Sequence, residues 1–174
     1  GIINADDWYE LDALQCVADK LVAQNEKEIV FYGGMFYHNE EDSSYNRVLP
    51  DIDRVWDKMS IFHPAIFVAS SVYKRLGVFS KDYKYAMDCE LVHRFLANKV
   101  PFIEIKSIIS NMRLNGISDI YYKRGLKEFR KSAIYYGHSR KRAYYFYFDI
   151  LIRKFLLKTR YGKLLQRIKK LLLF

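Results

Sequence analysis

The sequence predicts an α/β domain over residues 1–119 followed by a helical, Tyr-rich and basic segment over residues 120–174. Three observations carry this. Short runs of β-branched and aromatic residues alternate with stretches of helical periodicity in the first part. From Ile120 onward the strand-type runs stop and the pattern is helical. Residues 140–174 hold eleven Lys or Arg and one Asp, a local charge of +10, so the other 139 residues sum to −1 of the net +9.

Taken in order, a short apolar run, Gly1-Ile2-Ile3, breaks into Asp6-Asp7 and then Trp8. This reads as a buried strand delivering two acids onto a loop. Leu11, Leu14, Ala18, Leu21 and Val22 recur at helical spacing, with Asp12 and Gln15 as a capping box, so a helix with that face packed inward is expected. Residues 28–32 read as a strand that Gly33-Gly34 interrupts before Met35-Phe36-Tyr37 resumes. The polar stretch 38–46, with its Glu40-Glu41-Asp42 cluster, reads as an exposed loop. Pro50-Asp51 opens a short helix with Ile52, Val55, Trp56 and Met59 on one face. Residues 63–70 form a strand and 71–76 a helix stopped by Gly77 in a left-handed conformation. Another helix starts at or just before Asp88, two extended runs cover 101–105 and 107–114, and Asn115-Gly116 is a turn.

The composition narrows the function classes. At 174 residues and 51% hydrophobic, the chain has enough apolar material for one domain with its own core and is not a disordered segment. Cys16 and Cys89 fall in predicted helices without metal-type spacing, which points to reduced thiols and excludes a disulfide framework. The other histidines, His38, His93 and His138, show no ligand spacing.

Two adjacent carboxylates repel, and each raises the pKa of the other unless a cation or hydrogen bonds compensate. Asp6 and Asp7 therefore suggest a site for a hard divalent cation, Mg2+ or Mn2+, with Asp7 as the preferred ligand. The plainer alternative is a pair of solvated loop acids or helix caps. Asp88, at a helix start, is by its local sequence a cap, ionised and depressed in pKa by unpaired backbone N–H groups and the helix dipole.

The segment Gly1-Ile2-Ile3-Asn4-Ala5-Asp6-Asp7-Trp8-Tyr9-Glu10 resembles the acidic metal-binding motif of family 2 glycosyltransferases, which have the A-type nucleotide-sugar fold. Three further segments resemble that family in the right order: His63-Pro64-Ala65-Ile66-Phe67 running on to Gly77-Val78-Phe79, Tyr85-Ala86-Met87-Asp88-Cys89-Glu90-Leu91, and Met112-Arg113-Leu114-Asn115-Gly116-Ile117-Ser118. The resemblance implies a partial A-type fold with a mixed, mostly parallel sheet. Residues 1–119 would be the C-terminal half of the catalytic domain. The strands that hold the nucleotide base would precede Gly1, so the chain reads as a fragment. An unpaired sheet edge, exposed apolar surface and self-association follow as expectations.

The resemblance also implies metal-dependent, inverting sugar transfer from a UDP-linked donor to a glycan or lipid-linked acceptor. Asp88 would be the base, with Glu90 in reserve, since Met87 stands where many members carry a second acid. Asp6 would touch the donor ribose, or the metal through water. Trp8 would stack on a sugar face or wall the pocket, against the alternative of anchoring the loop on the core. His63 would bond a diphosphate oxygen or an acceptor hydroxyl, against a purely structural role. Arg113 and Ser118 flank the Asn115-Gly116 turn, where an Arg could neutralise phosphate.

In the last stretch Leu164, Leu165, Ile168, Leu171 and Leu172 share one helical face and Lys163, Arg167, Lys169 and Lys170 lie elsewhere. With Arg153, Lys154, Lys158 and Arg160 this suggests attachment through residues 140–174 to an anionic membrane surface, peripheral and on the cytoplasmic inner face. A helix that closes over the domain or pairs with another subunit has the same pattern. Two other functions remain open: a noncatalytic remnant or interaction module of the same fold, and a basic membrane- or nucleic-acid-binding protein. Against nucleic acid, no recognised binding module is present and the aliphatic runs favour lipid or protein.

Overall fold

The chain builds its sheet around a single ten-residue strand. The computed structural model describes residues 1–39, 43–113 and 120–158. The elements run β1 (Trp8–Tyr9), α1 (Ala13–Val22), β2 (Val30–Asn39), β3 (Ser44–Val48), a 3-10 turn (Ile52–Arg54), a second (His63–Ala65), β4 (Ile66–Val68), α2 (Ser70–Leu76), α3 (Met87–Ala97), β5 (Phe102–Arg113), α4 (Tyr122–Tyr135) and α5 (Arg140–Lys158). The strand order is β1-β5-β2-β3, with β4 also on β2. One edge of β2 carries β5 in parallel. The other carries β4 on residues 30–32 and β3 on residues 35–39, both antiparallel. With β1 antiparallel to β5 as well, the sheet is mixed but not mostly parallel.

The run Val30-Phe31-Tyr32 alternates between two cores, as a strand buried on both faces must. Val30 and Tyr32 join Val72, Leu91, Val92 and Phe95 under α2 and α3, while Phe31 and Met35 join Ala13, Phe62, Ile105 and Ile109 under α1. The Gly33-Gly34 pair does not end the strand. There β5 carries extra residues, since Gly33 faces Ile105 and Gly34 faces Ile108. A Cβ on Gly33 would lie 2.8 Å from Ile109 Cδ1, and one on Gly34 2.6 Å from Ile108 Cδ1, so the bulge needs glycine opposite it.

Several expectations are corrected. Residues 1–4 are not a strand; the strand follows the acids. Asp12 precedes α1 but makes no side-chain capping bond, so there is no capping box. The inward face of α1 is Ala13, Cys16 and Val17, not the larger apolar set. Leu14 and Leu21 are 64% and 50% exposed and Val22 89%, because small side chains at i, i+3 and i+4 let the helix sit close on β5. The expected loop at 38–46 is instead the β2–β3 hairpin; Glu40, Glu41 and Asp42 lie outside the described residues. The two extended runs after Pro101 are one bulged strand. Residues 63–65 are a 3-10 turn ahead of a three-residue strand. Gly77 does stop α2 at positive φ (84°), and Arg94 bridges it by donating to the Leu76 and Val78 carbonyls. Both cysteines are free.

Helices α4 and α5 are packed into the domain, which leaves an independent basic appendage without support. Trp56 stacks between His93 (4.7 Å, 7°) and His138 (6.0 Å, 11°). Buried Asp57 takes a two-pronged bond from Arg142 of α5, at 2.9 and 2.7 Å. His138 Nε2 lies 3.3 Å from Asp57 but is not aligned to hydrogen-bond it. Buried Glu90 accepts from Arg94 and from the Tyr136 hydroxyl of α4. Residues 114–119, Asn115 and Ser118 included, and residues 159–174, where the sequence predicts a Leu-rich helical face, lie outside the described residues.

His93 is fully buried, with Nε2 facing the Val55 carbonyl (3.1 Å) and Nδ1 facing Ser132 Oγ (2.9 Å). The carbonyl requires a proton on Nε2, which leaves Nδ1 to accept from the hydroxyl. Burial pushes its pKa down to about 4. The unfolded chain therefore takes up a proton near pH 6.5 that the folded chain refuses until about pH 4. Stability should fall as pH drops through this window, by about 3 kcal/mol. Urea midpoints at pH 7 and pH 4 check this: the difference should shrink by most of that amount in His93→Gln.

Candidate active site

Asp7 is placed by a turn on one side and by the end of β5 on the other. Its N–H donates to the Asn4 carbonyl (3.2 Å), closing the turn that carries Asp6. Asn4 Nδ2 donates to Asp7 Oδ2 at 3.0 Å, and the Arg113 N–H donates to Oδ1 at 3.3 Å. The pairing of Trp8 with Asn111 is what brings Asp7 beside Arg113. Asp6 is exposed and Asp7 half-buried. Burial raises the Asp7 pKa against the help of Asn4 and Arg113, and the neighbouring Asp6 charge raises it further.

His63 opens the 3-10 turn ahead of β4, with its ring edge-on to Phe79 at 5.4 Å. Burial lowers its pKa, while the charges of Asp88 and then Asp7 work to raise it. The charges of Asp7 and Asp88, 81 positions apart in the chain, therefore both reach His63.

Asp88 lies in the first turn of α3, after Met87 rather than at the cap, and its Oδ1 accepts the Cys89 N–H at 2.8 Å. The expected depression of its pKa is corrected: burial raises it, outweighing the Cys89 N–H and the His63 charge. A raised carboxyl pKa makes a stronger base, closer to what proton abstraction near neutral pH requires. Glu90 is withdrawn as a reserve base. It is 2% exposed and committed to Arg94 and Tyr136.

The loop that leads into α3 is held from α4. Glu128 Oε2 accepts the N–H groups of Lys84 (3.0 Å), Tyr85 (2.7 Å) and Ala86 (2.9 Å). Three converging N–H dipoles form an anion-binding nest, filled here by a carboxylate of the chain itself. It fixes the approach to Asp88. Sequence reasoning missed Glu128, whose one local signal is that it is the single acid in α4.

Trp8 lies apart from this group. It packs on His38, ring centroids 4.8 Å apart, beneath the Arg113 guanidinium at 5.7 Å, and stays 40% exposed. His38 Nε2 contacts Asn111 Oδ1 (2.7 Å), and Asn111 donates to Glu10 (2.7 Å). None of His38, Asn111 and Glu10 stood out in the sequence.

Among the described residues no group of three or more His, Cys, Asp or Glu side chains is gathered to hold a metal. Two adjacent carboxylates nevertheless fit Mg2+ or Mn2+, which take one or two protein carboxylates and complete their shell with water and substrate phosphate. The half-buried acid with a raised pKa beside a second acid is the site such a cation would relieve. No protein-family model matches the chain, and no curated protein matches it.

Replacing Glu128 by Ala removes the acceptor from three N–H groups, one of them on buried Ala86. The expected cost is about 2 kcal/mol in denaturant stability. Amide exchange should speed up at residues 84–86 before it does in β2. Unchanged exchange there would mean that the loop is held by other contacts.

Proposed function

We propose that this chain acts in nucleotide-sugar-dependent sugar transfer of the family 2 type, inverting, and dependent on Mg2+ or Mn2+. The observation that carries the reading is that Asp7 and Asp88, from separate segments, both act electrostatically on half-buried His63. Asp7, with Asp6 beside it, would hold the cation, whose chemistry is to neutralise the diphosphate that leaves. His63, kept neutral by burial, is suited to a hydrogen bond with a diphosphate or acceptor oxygen rather than to a fixed positive charge.

Asp88 takes the proton from the attacking hydroxyl of a glycan or lipid-linked acceptor. As that oxygen bonds to the sugar carbon, the carbon–oxygen bond to the diphosphate breaks and its electron pair leaves with the UDP. One displacement without a covalent intermediate inverts the configuration. The raised pKa of Asp88 favours this role over that of a helix cap.

Mn2+ with UDP should raise the thermal midpoint. Saturation to 100 times the dissociation constant adds about 2.7 kcal/mol, or about 5–10 °C for a chain of this size. Asp7→Asn should abolish the shift and Asp88→Asn should keep it, while turnover falls at least about 100-fold in Asp88→Asn. A shift that survives Asp7→Asn would sink the assignment of the metal.

A peripheral place at the cytoplasmic face of a membrane is part of the same proposal. Tyr145, Phe148, Ile152, Phe155 and Leu156 of α5 form one exposed stripe at helical spacing, with Arg140, Lys141, Arg153 and Lys154 on the same helix. Among the described residues no helix is long and apolar enough to cross a membrane. Exposed rings with basic neighbours suit an anionic interface, at about 1 kcal/mol per engaged cation. Vesicles with 30% anionic lipid should sediment the protein and neutral vesicles should not. Phe148→Ser with Phe155→Ser should reduce the bound fraction, and equal recovery in both supernatants would remove the membrane from the proposal.

A further inference from the structure

Helix α1 is apolar on two opposite sides. Ala13, Cys16 and Val17 face the core. On the outer side Leu14, Ala18, Leu21 and Val22, continued by Leu11 in the turn before the helix, form a second stripe that is exposed along its length. Leu11 is fully exposed, and Leu14, Leu21 and Val22 are at least half exposed. A helix lying on a protein surface needs one apolar stripe; two opposite stripes are the pattern of a helix covered on both sides. The spacing 11, 14, 18, 21 is that of the seam between two paired helices.

The border of the stripe says what kind of partner fits it. Asp12, Gln15 and Asp19 run along one side, with Gln15 Nε2 donating to Asp19 Oδ1 at 2.7 Å, while Lys20 follows Cys16 and Val17 on the inward side. Two carboxylates seven residues apart repel an anionic membrane and repel a second α1. They call for an apolar helix edged with cations. Among the described helices α5 has that character: Tyr145, Phe148, Ile152, Phe155 and Leu156 are all at least half exposed, and Arg140, Lys141 and Arg153 are exposed on the same helix. Its one acid, Asp149, is already paired with Arg153 at 2.8 Å. Residues 11–22 and 145–156 each cover twelve positions, so the two stripes have the same length, about 17 Å.

We infer that the chain associates with a second copy of itself, the outer stripe of α1 in one copy lying on the exposed stripe of α5 in the other, with the acids of the first beside the cations of the second. Both stripes are exposed in the single molecule, so its own α5 does not cover its α1. Each copy carries both halves of the contact, and a two-fold arrangement covers all four stripes at once. The inference goes beyond the transferase reading and does not need it. It gives α5 two alternative partners, a second copy in solution and an anionic lipid surface where one is present.

The test is sedimentation of the full chain over a range of concentrations, without lipid, metal or nucleotide. The mass should rise with concentration above the 20.8 kDa of one chain. Leu14→Ser with Leu21→Ser, and separately Phe148→Ser with Phe155→Ser, should each weaken the association about tenfold or more. All four side chains are at least half exposed, so these variants keep the fold. Asp19→Lys should weaken it as well. So should salt raised from about 0.15 to 1 M, which shortens the screening length from about 8 to 3 Å. Tyr45→Ala, on the edge strand β3, should change nothing. A monomer at every concentration would overturn the inference and leave the α1 stripe to another occupant, residues 159–174 or a different protein. Association indifferent to either pair of serines, or lost in Tyr45→Ala alone, would overturn it too. The outcome is separate from the UDP and vesicle experiments, because none of their ligands is present.

Discussion

The fold depends on β2 being paired along both edges. One edge is taken by β5 for its length and the other is divided between β4 and β3. That division places the candidate site. The turn that carries His63 leads directly into β4, and the far end of β5 receives Trp8 and, next to it, Asp7. Gly33 and Gly34 make the arrangement possible, because the bulge in β5 presses Ile108 and Ile109 onto the backbone opposite. A side chain at Gly33 would have to displace buried Ile109, and one at Gly34 half-buried Ile108, or else shift the register, and a shift would turn the two faces of the strand over together.

A second layer of constraint comes from the helices that follow the sheet. Glu128, Ser132 and Tyr136 lie at i, i+4 and i+8 of α4 and its end, so one side of this helix meets the loop before Asp88, His93 and Glu90 in succession. Buried His93, Ser132 and Glu90 are tolerated here because each has a specific partner, and those bonds help to fix the helix against α3. The same logic governs the acids of the site. Their pKa values rise because burial outweighs the few donors that reach them.

Part of the fold around the candidate residues was legible in the sequence. The start of α3 just before Asp88 and the stop of α2 at Gly77 follow from local chemistry. Other readings failed for identifiable reasons. The apolar residues at 11, 14, 18, 21 and 22 have helical spacing, yet the face of α1 that packs is the one with small side chains, Ala13, Cys16 and Val17. Within the stretch 38–46, residues 44–46 are polar because they lie on β3, an exposed edge strand, and not in a loop. The capping box had the right letters, but Asp12 makes no capping bond.

What the chain determines by itself is what neighbours along it can decide: helical or extended character, turn positions, and the concentration of positive charge toward one end. These depend on backbone preference and periodicity within a few residues. Strand direction, the inward face of a helix and the protonation bias of a buried acid belong to the tertiary structure. Each is set by groups far away in sequence, as Glu128 is from Tyr85 or Arg113 from Asp7. Their energies arise only when water has been removed from between them.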